Sequence, residues 1–129
     1  MEEKTKLVHE KLSYEVRGIL YKVHSYLGSY RNEKLYCDAI EQGFKVKGLK
    51  YEREKVLSKG FVGERSGRNR VDFVVEDKII IEVKVVPCFS RDIYNQCTRY
   101  LVCSGNKLLL LVNFRPKSLH IKRILNPEM

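Results

Sequence analysis

The stretch that most constrains the fold is VDFVVEDKIIIEVKVV, residues 71–86. Two runs rich in valine and isoleucine flank a short polar turn, which is the pattern of a β-hairpin with buried strands. Three charged residues, Asp72, Glu82 and Lys84, interrupt the apolar runs. Because burying an unpaired charge costs several kcal/mol, we expect these side chains to have partners or a function.

Strand geometry predicts that the three charges meet on one patch of the hairpin. Residues two apart on a strand share a face, so Glu82 and Lys84 project together. A three-residue loop would place Val75 opposite Ile79, and the same register places Asp72 opposite Glu82. Directly opposed residues have Cβ atoms about 4.5–5.5 Å apart. Two carboxyl groups that close repel each other, so one of them tends to stay protonated unless a cation intervenes.

Two interpretations of this patch remain open from the residues alone. Mg²⁺ is typically held by one or two carboxylates, with waters and a substrate phosphate completing its shell. A neighbouring lysine can hold the attacking water and stabilise charge on the phosphate, which predicts phosphodiester hydrolysis. The alternative is a solvated face on which Lys84 forms a salt bridge with a carboxylate. Ile80 and Ile81, on both faces next to Glu82, favour a buried strand instead.

The rest of the chain predicts a single α/β domain, residues 1–129, with a mixed sheet flanked by helices. Ser13 and Ser90 are the expected N-caps of the first and third helices, and Gly43 is the expected end of the second. The Gly- and Arg-rich residues 58–70 predict an exposed turn. The expected order is helix, helix, strand, strand, strand, helix, strand, strand, at about residues 12–27, 32–42, 49–57, 70–75, 78–86, 91–104, 107–114 and 118–125.

Composition narrows the class of partner. The net charge of +9 favours polyanions, of which nucleic acid is the commonest, although a lysine-rich soluble surface gives the same charge. The four cysteines contain no CxxC pair and are expected to be reduced thiols. No run approaches the ~18 apolar residues of a membrane span. The charged start without an apolar signal region predicts a cytoplasmic protein with no membrane partner.

Several motifs resemble those of a known family. The hairpin resembles motifs II and III of the PD-(D/E)xK nuclease superfamily, with Asp72 at the metal-binding aspartate and Glu82 and Lys84 at the E-x-K pair. QCTRY, from Gln96 to Tyr100, resembles the Q-x-x-x-Y motif of the RecB-like exonuclease branch. The resemblance implies the restriction-endonuclease-like core, with the order α-α-β-β-β-α-β-β.

A finer resemblance is to the GxxExxY proteins, whose naming motif is similar to YRNEKLY. Glu33 and Tyr36 match this motif, whereas Tyr30 stands where the family has glycine. Ile93 stands where the family often has a histidine, three residues before the motif glutamine. The resemblance runs from about residue 12 to about residue 125.

The resemblance also implies roles for these residues. Asp72, Glu82 and the backbone carbonyl of Val83 would bind Mg²⁺ or Mn²⁺, and Glu33 would complete the site directly or through water. Lys84 would orient the water that attacks phosphorus. The remaining candidates are expected to brace the site or contact the nucleic-acid backbone: Gln96 and Tyr100 on one helix face, and Arg65, Arg68 and Arg70 in the loop before the hairpin.

The sequence thus predicts a metal-dependent nuclease that acts on DNA rather than RNA. Two alternatives remain: a module that binds nucleic acid or a partner without cutting, and a structural protein with a salt-bridged hairpin. Because the chain has no obvious second domain to grip a substrate, a homodimer or a protein partner is also left open.

Overall fold

The hairpin occupies the centre of a five-stranded sheet. The computed structural model describes residues 8–129. Its strands lie in the order β1-β2-β3-β4-β5. All neighbours are antiparallel except β3 and β4, which are parallel because α3 crosses between them. The elements are α1 (Glu10–Leu27), α2 (Glu33–Lys47), β1 (Tyr51–Val56), β2 (Arg70–Val75), β3 (Ile79–Lys84), α3 (Arg91–Ser104), β4 (Leu108–Asn113) and β5 (His120–Leu125).

Helices cover both faces of this sheet. One buried cluster joins α1 and α2 to one face, through residues such as Leu20, Phe44 and Ile81. A second cluster joins α3 to the other face, through residues such as Leu101 and Ile80. Every residue of β4 is buried, as its continuous apolar run predicts for a strand covered on both faces. The predicted α/β class, mixed sheet and element order are confirmed.

The ends of α1 and α2 differ from the prediction. Helix α1 begins at Glu10 after His9, so the prediction of Ser13 as N-cap was wrong; the Ser13 hydroxyl donates to the Glu10 carbonyl instead, at 3.1 Å. Helix α2 continues past Gly43 to Lys47 and ends at Gly48, whose φ of 72° is the left-handed conformation of a helix end. Gly43 is needed for close packing, because a Cβ there would lie 2.5 Å from Cγ2 of Ile19.

The third helix has the predicted ends. The Ser90 side chain accepts a hydrogen bond from the Ile93 N–H, and Gly105 adopts a left-handed conformation at the C-terminal end. Among the described residues, no helix is both long enough and apolar enough to cross a membrane.

Candidate active site

The central hairpin has the predicted register. Val75 pairs with Ile79, and the ladder continues to Phe73 and Ile81. The backbone N–H of Lys78 donates a hydrogen bond to the Val75 carbonyl at 2.9 Å. The two residues between them, Glu76 and Asp77, both have positive φ, 53° and 56°. These are the angles of the turns that match the twist of a hairpin.

Beyond this ladder, side chains replace backbone pairing between the two strands. The Asp72 N–H donates to Oε1 of Glu82 at 2.9 Å, and the Val83 N–H donates to Oδ2 of Asp72 at 2.7 Å. Each strand therefore binds the carboxylate of the other, and the predicted meeting of Asp72 and Glu82 is present. The carboxyl groups lie between the strands, where they replace the ladder.

Burial makes this pair electrostatically costly. Glu82 is only 4% exposed, and burial followed by the neighbouring Asp72 raises its pKa to about 8. The pKa of Asp72 is also raised, mainly by burial. Within residues 8–129, neither carboxylate has an ion pair with a basic side chain within 4.0 Å. The salt-bridged hairpin considered as an alternative is therefore not what these residues form.

Strand β1 is distorted opposite Asp72. Its pairs with β2 include Arg53 with Phe73 and Lys55 with Val71, but Glu54, between them, has a φ of 54°. A glutamate with a left-handed backbone conformation costs free energy, so this part of the sheet, next to the buried Asp72, is locally strained. The negative charge of Glu54 also raises the pKa of Asp72.

Lys84 and two residues of α3, Gln96 and Tyr100, lie on one face of the sheet. The Lys84 ammonium donates to Oε1 of Gln96 at 3.4 Å. Tyr100, one turn further along α3, is buried in the cluster between α3 and the sheet. Burial, and then the nearby Glu82, raises the pKa of Tyr100 to about 12. Gln96 thus contacts the candidate catalytic lysine, whereas Tyr100 contributes packing beside Glu82.

Helix α2 approaches the same carboxylates from the opposite layer. Glu33 is its first residue, and burial raises the pKa of its carboxyl group, with a further increase from Asp72. Lys84 and the backbone N–H of Val85 lower the same pKa. One turn later, burial and then Asp72 raise the pKa of the Cys37 thiol to about 12. Sequence reasoning missed Cys37 as a neighbour of the site, since no local pattern indicates it.

The arginine-rich loop is anchored more firmly than its sequence predicted. Glu64 is 4% exposed and accepts hydrogen bonds from the Gly60 N–H at 2.6 Å, from Arg68 at 2.5 Å and from Asn69 at 3.0 Å. Arg99 of α3 donates to Asn69 at 2.9 Å. The prediction of a wholly exposed turn was therefore wrong at two buried residues, Glu64 and Asn69, which no sequence signal singled out.

The three loop arginines have different surroundings. Arg68 is held by Glu64, so its charge is partly neutralised within the loop. Arg65 and Arg70 are exposed, and a guanidinium nitrogen of Arg70 lies 4.0 Å from Glu54. Arg68 therefore has a close ion pair within the loop and Arg70 a much longer one to β1, whereas Arg65 has none among the described residues.

The donor set fits a hard divalent cation bound by few protein groups. Among residues 8–129, no cluster of three or more His, Cys, Asp or Glu side chains is arranged to hold a metal ion. Asp72 and Glu82 nevertheless supply two carboxylates, the number that Mg²⁺ commonly uses. Their second oxygens accept no hydrogen bond from described residues, and no fully buried side-chain oxygen there lacks a partner. The described residues therefore leave one oxygen of each carboxylate without a hydrogen-bond donor, and these are the atoms that could bind a cation.

A mixed sheet between helical layers, with a carboxylate pair and a lysine on its central hairpin, defines a restriction-endonuclease-like fold. A family model of the PD-(D/E)XK nuclease superfamily matches residues 10–124, nearly the whole chain, and the chain belongs to that superfamily. Comparisons with curated proteins and with solved structures found no match. The RecB-like branch and the GxxExxY family therefore stay predictions.

Proposed function

We propose that this protein is a metal-dependent nuclease that hydrolyses DNA phosphodiester bonds at the central hairpin. The observation that carries the proposal is the buried pair Asp72 and Glu82, whose two carboxyl groups meet between the strands. Among the described residues, no basic side chain forms an ion pair with either carboxyl group within 4.0 Å. A divalent cation would supply the missing positive charge and would lower the pKa of both carboxyl groups.

Three groups would hold Mg²⁺ or Mn²⁺: the carboxylates of Asp72 and Glu82 and the carbonyl of Val83. The Val83 N–H points toward β2, and the N–H and C=O of one strand residue point toward the same neighbour. Glu33 would act through water, since it does not form a three-carboxylate cluster with the other two. When bound, the ion would supply Lewis-acid stabilisation of negative charge on the phosphate.

Lys84 would hold the attacking water and place positive charge beside the phosphate. Its ammonium group donates to Gln96, which limits the directions in which the long side chain can point. Gln96 is therefore a positioning residue. Tyr100 would support this arrangement by packing α3 against the strand that carries Glu82.

Arg65 and Arg70 would bind the phosphates of the substrate, because Arg65 is exposed in the loop that leads into β2 and Arg70 is exposed at the first residue of β2. Arg68 would fix the shape of that loop through Glu64. The choice of DNA rests on the family resemblance, so RNA belongs in the same assay.

The test is cleavage of labelled single- and double-stranded DNA and of RNA with Mg²⁺, with Mn²⁺ and with EDTA. We expect metal-dependent cleavage of DNA, reduced at least about 100-fold in Lys84→Ala. The matched control is Lys47→Ala, an exposed lysine at the far end of α2, about 20 Å from Glu33 along the helix. Circular dichroism would establish that both variants are folded.

Two results would contradict the proposal. One is cleavage that persists in EDTA or in Lys84→Ala. The other is metal-independent binding of nucleic acid, equal in both lysine variants, with no cleavage under any condition; this result would favour the non-cutting binding module.

A further inference from the structure

Three aromatic rings meet beside the site, in a part of the chain to which the proposed reaction gives no role. The Phe89 ring lies nearly parallel to the His120 ring, with centroids 5.1 Å apart and an angle of 29°. The Tyr94 ring meets Phe89 edge-on, with centroids 5.9 Å apart and an angle of 79°. These three residues, here called the aromatic ridge, come from the loop after β3, the first turns of α3 and the start of β5.

The sheet register aligns this ridge with the candidate catalytic lysine. Lys84 pairs with Asn113 on β4, and Asn113 pairs with His120 on β5. Residues in one row across a sheet project from the same face. Two strand spacings of about 4.8 Å place Lys84 and His120 about 10 Å apart. The ridge therefore lies beside the position that a phosphate at Lys84 would occupy.

The loop that carries Phe89 is tied to the same row. The Asn113 side chain donates to the Val86 carbonyl at 2.8 Å and accepts from the Val86 N–H at 3.2 Å. The ridge thus has a defined position relative to Lys84, because Asn113 links the row to the loop that leads to Phe89.

The aromatic ridge is more exposed than a group of rings packed in the core. Phe89 and Tyr94 are half-buried, as expected for rings that pack at a helix start, but His120 is exposed. One face of the His120 ring lies against Phe89, so its exposed surface includes the other face. Two residues along β5, Lys122 is also exposed and belongs to the row of Glu82. An open ring face next to a cation suits a base and its phosphate.

We propose that the aromatic ridge stacks an unpaired base next to the scissile phosphate, so that the substrate is a single-stranded segment of nucleic acid. In a duplex both faces of a base are covered by its neighbours, whereas an unpaired base offers a face to His120. The location of the phosphate rests on the proposed nuclease function, but the stacking itself requires no cleavage.

The test uses the intact protein in EDTA, so that binding is measured without cutting. The probes are a single-stranded oligonucleotide that contains 2-aminopurine and the same oligonucleotide in a duplex. Anisotropy gives Kd, and quenching of 2-aminopurine reports stacking. We expect His120→Ala to weaken single-strand binding about 5- to 10-fold and to remove the quenching, with duplex binding changed less than about twofold.

Two matched variants separate stacking from structure. His120→Tyr keeps an aromatic face and should restore both the affinity and the quenching. Tyr14→Ala removes a ring that is 78% exposed on α1, outside the ridge, and should change neither. Unchanged single-strand affinity and quenching in His120→Ala, or equal losses for single strand and duplex, would overturn the proposal.

The experiments can contradict the stacking proposal and the proposed nuclease function independently of each other. Single-strand binding that depends on His120, in a protein that never cuts, would support the ridge and contradict the proposed function. Metal-dependent cleavage with no effect of His120→Ala on single-strand binding would support the nuclease and overturn the ridge.

Discussion

At the scale of single residues, Glu82 links the stability of the protein to pH. Its pKa is raised to about 8 in the fold, whereas an ordinary glutamate has a pKa near 4.5. Between these values the folded protein binds a proton that the unfolded chain has released. The free energy of unfolding therefore falls as pH rises through this window.

Glu82→Gln should remove this dependence while it keeps an oxygen that can accept from the Asp72 N–H. In EDTA, we expect the Tm of the wild type to fall between pH 5.5 and 8.5, and the Tm of the variant to fall less. At pH 8 the variant should melt about 5 °C or more above the wild type. Thermal unfolding by circular dichroism measures this difference.

Glu15→Gln, which changes an exposed glutamate on α1, is the control and should follow the wild type at every pH. Equal pH dependence in the wild type and Glu82→Gln would mean that Glu82 is ionised in the fold without a cation. The electrostatic argument for a metal at the hairpin would then be lost.

At the scale of elements, the contact between α1 and α2 depends on Gly43. Gly43→Ala would place a Cβ 2.5 Å from Ile19, and such overpacking typically costs about 1–3 kcal/mol. This exceeds the 0.5–1 kcal/mol or so that alanine gains over glycine inside a helix. We therefore expect Gly43→Ala to lower the free energy of unfolding measured in urea.

Gly18→Ala is the matched control, because Gly18 lies inside α1 and an added Cβ would meet no atom within 4 Å. This variant should be more stable than the wild type by about 0.5–1 kcal/mol. If the two variants instead shifted stability equally, the close approach of the helices would not be a constraint.

The same glycine shows where prediction from the sequence ends. The presence and order of the helices and strands, the Ser90 cap and the register of Val75 with Ile79 were predictable because their signals are local: periodicity, capping residue and turn length. The end of α2 was not, since a glycine stops a helix or admits a neighbour, and only the position of Ile19 distinguishes these cases.

The candidate site likewise contains features that the sequence predicts and features that it does not. The meeting of Asp72 and Glu82 follows from hairpin geometry, so the sequence predicted it. The burial of Glu64 was not predictable, because it depends on Asn69 and on Arg99, which lies 30 residues beyond Asn69 on another element.

At the scale of the whole molecule, the excess positive charge predicts salt-dependent binding of nucleic acid. The net charge of +9 includes arginines that already have acidic partners in the fold, such as Arg53 with Asp38 and Glu41. Only exposed cations that meet a phosphate release counterions when a strand binds. The salt dependence therefore reports how many cations contact the strand, not the total charge.

The three arginines before and at the start of β2 offer a direct test, because they differ in surroundings while their chemistry is the same. Arg65→Gln and Arg70→Gln should each lower the slope of log K against log salt by about 0.7–0.9, the contribution of one phosphate contact. Arg68→Gln should leave the slope nearly unchanged but lower the Tm, because it removes a partner of the buried Glu64. Fluorescence anisotropy between 50 and 200 mM salt, roughly the range in which such contacts are separated, measures the slopes. Equal slope changes for all three variants would show that Arg68 leaves Glu64 to bind the nucleic acid, and that the loop changes its conformation on binding.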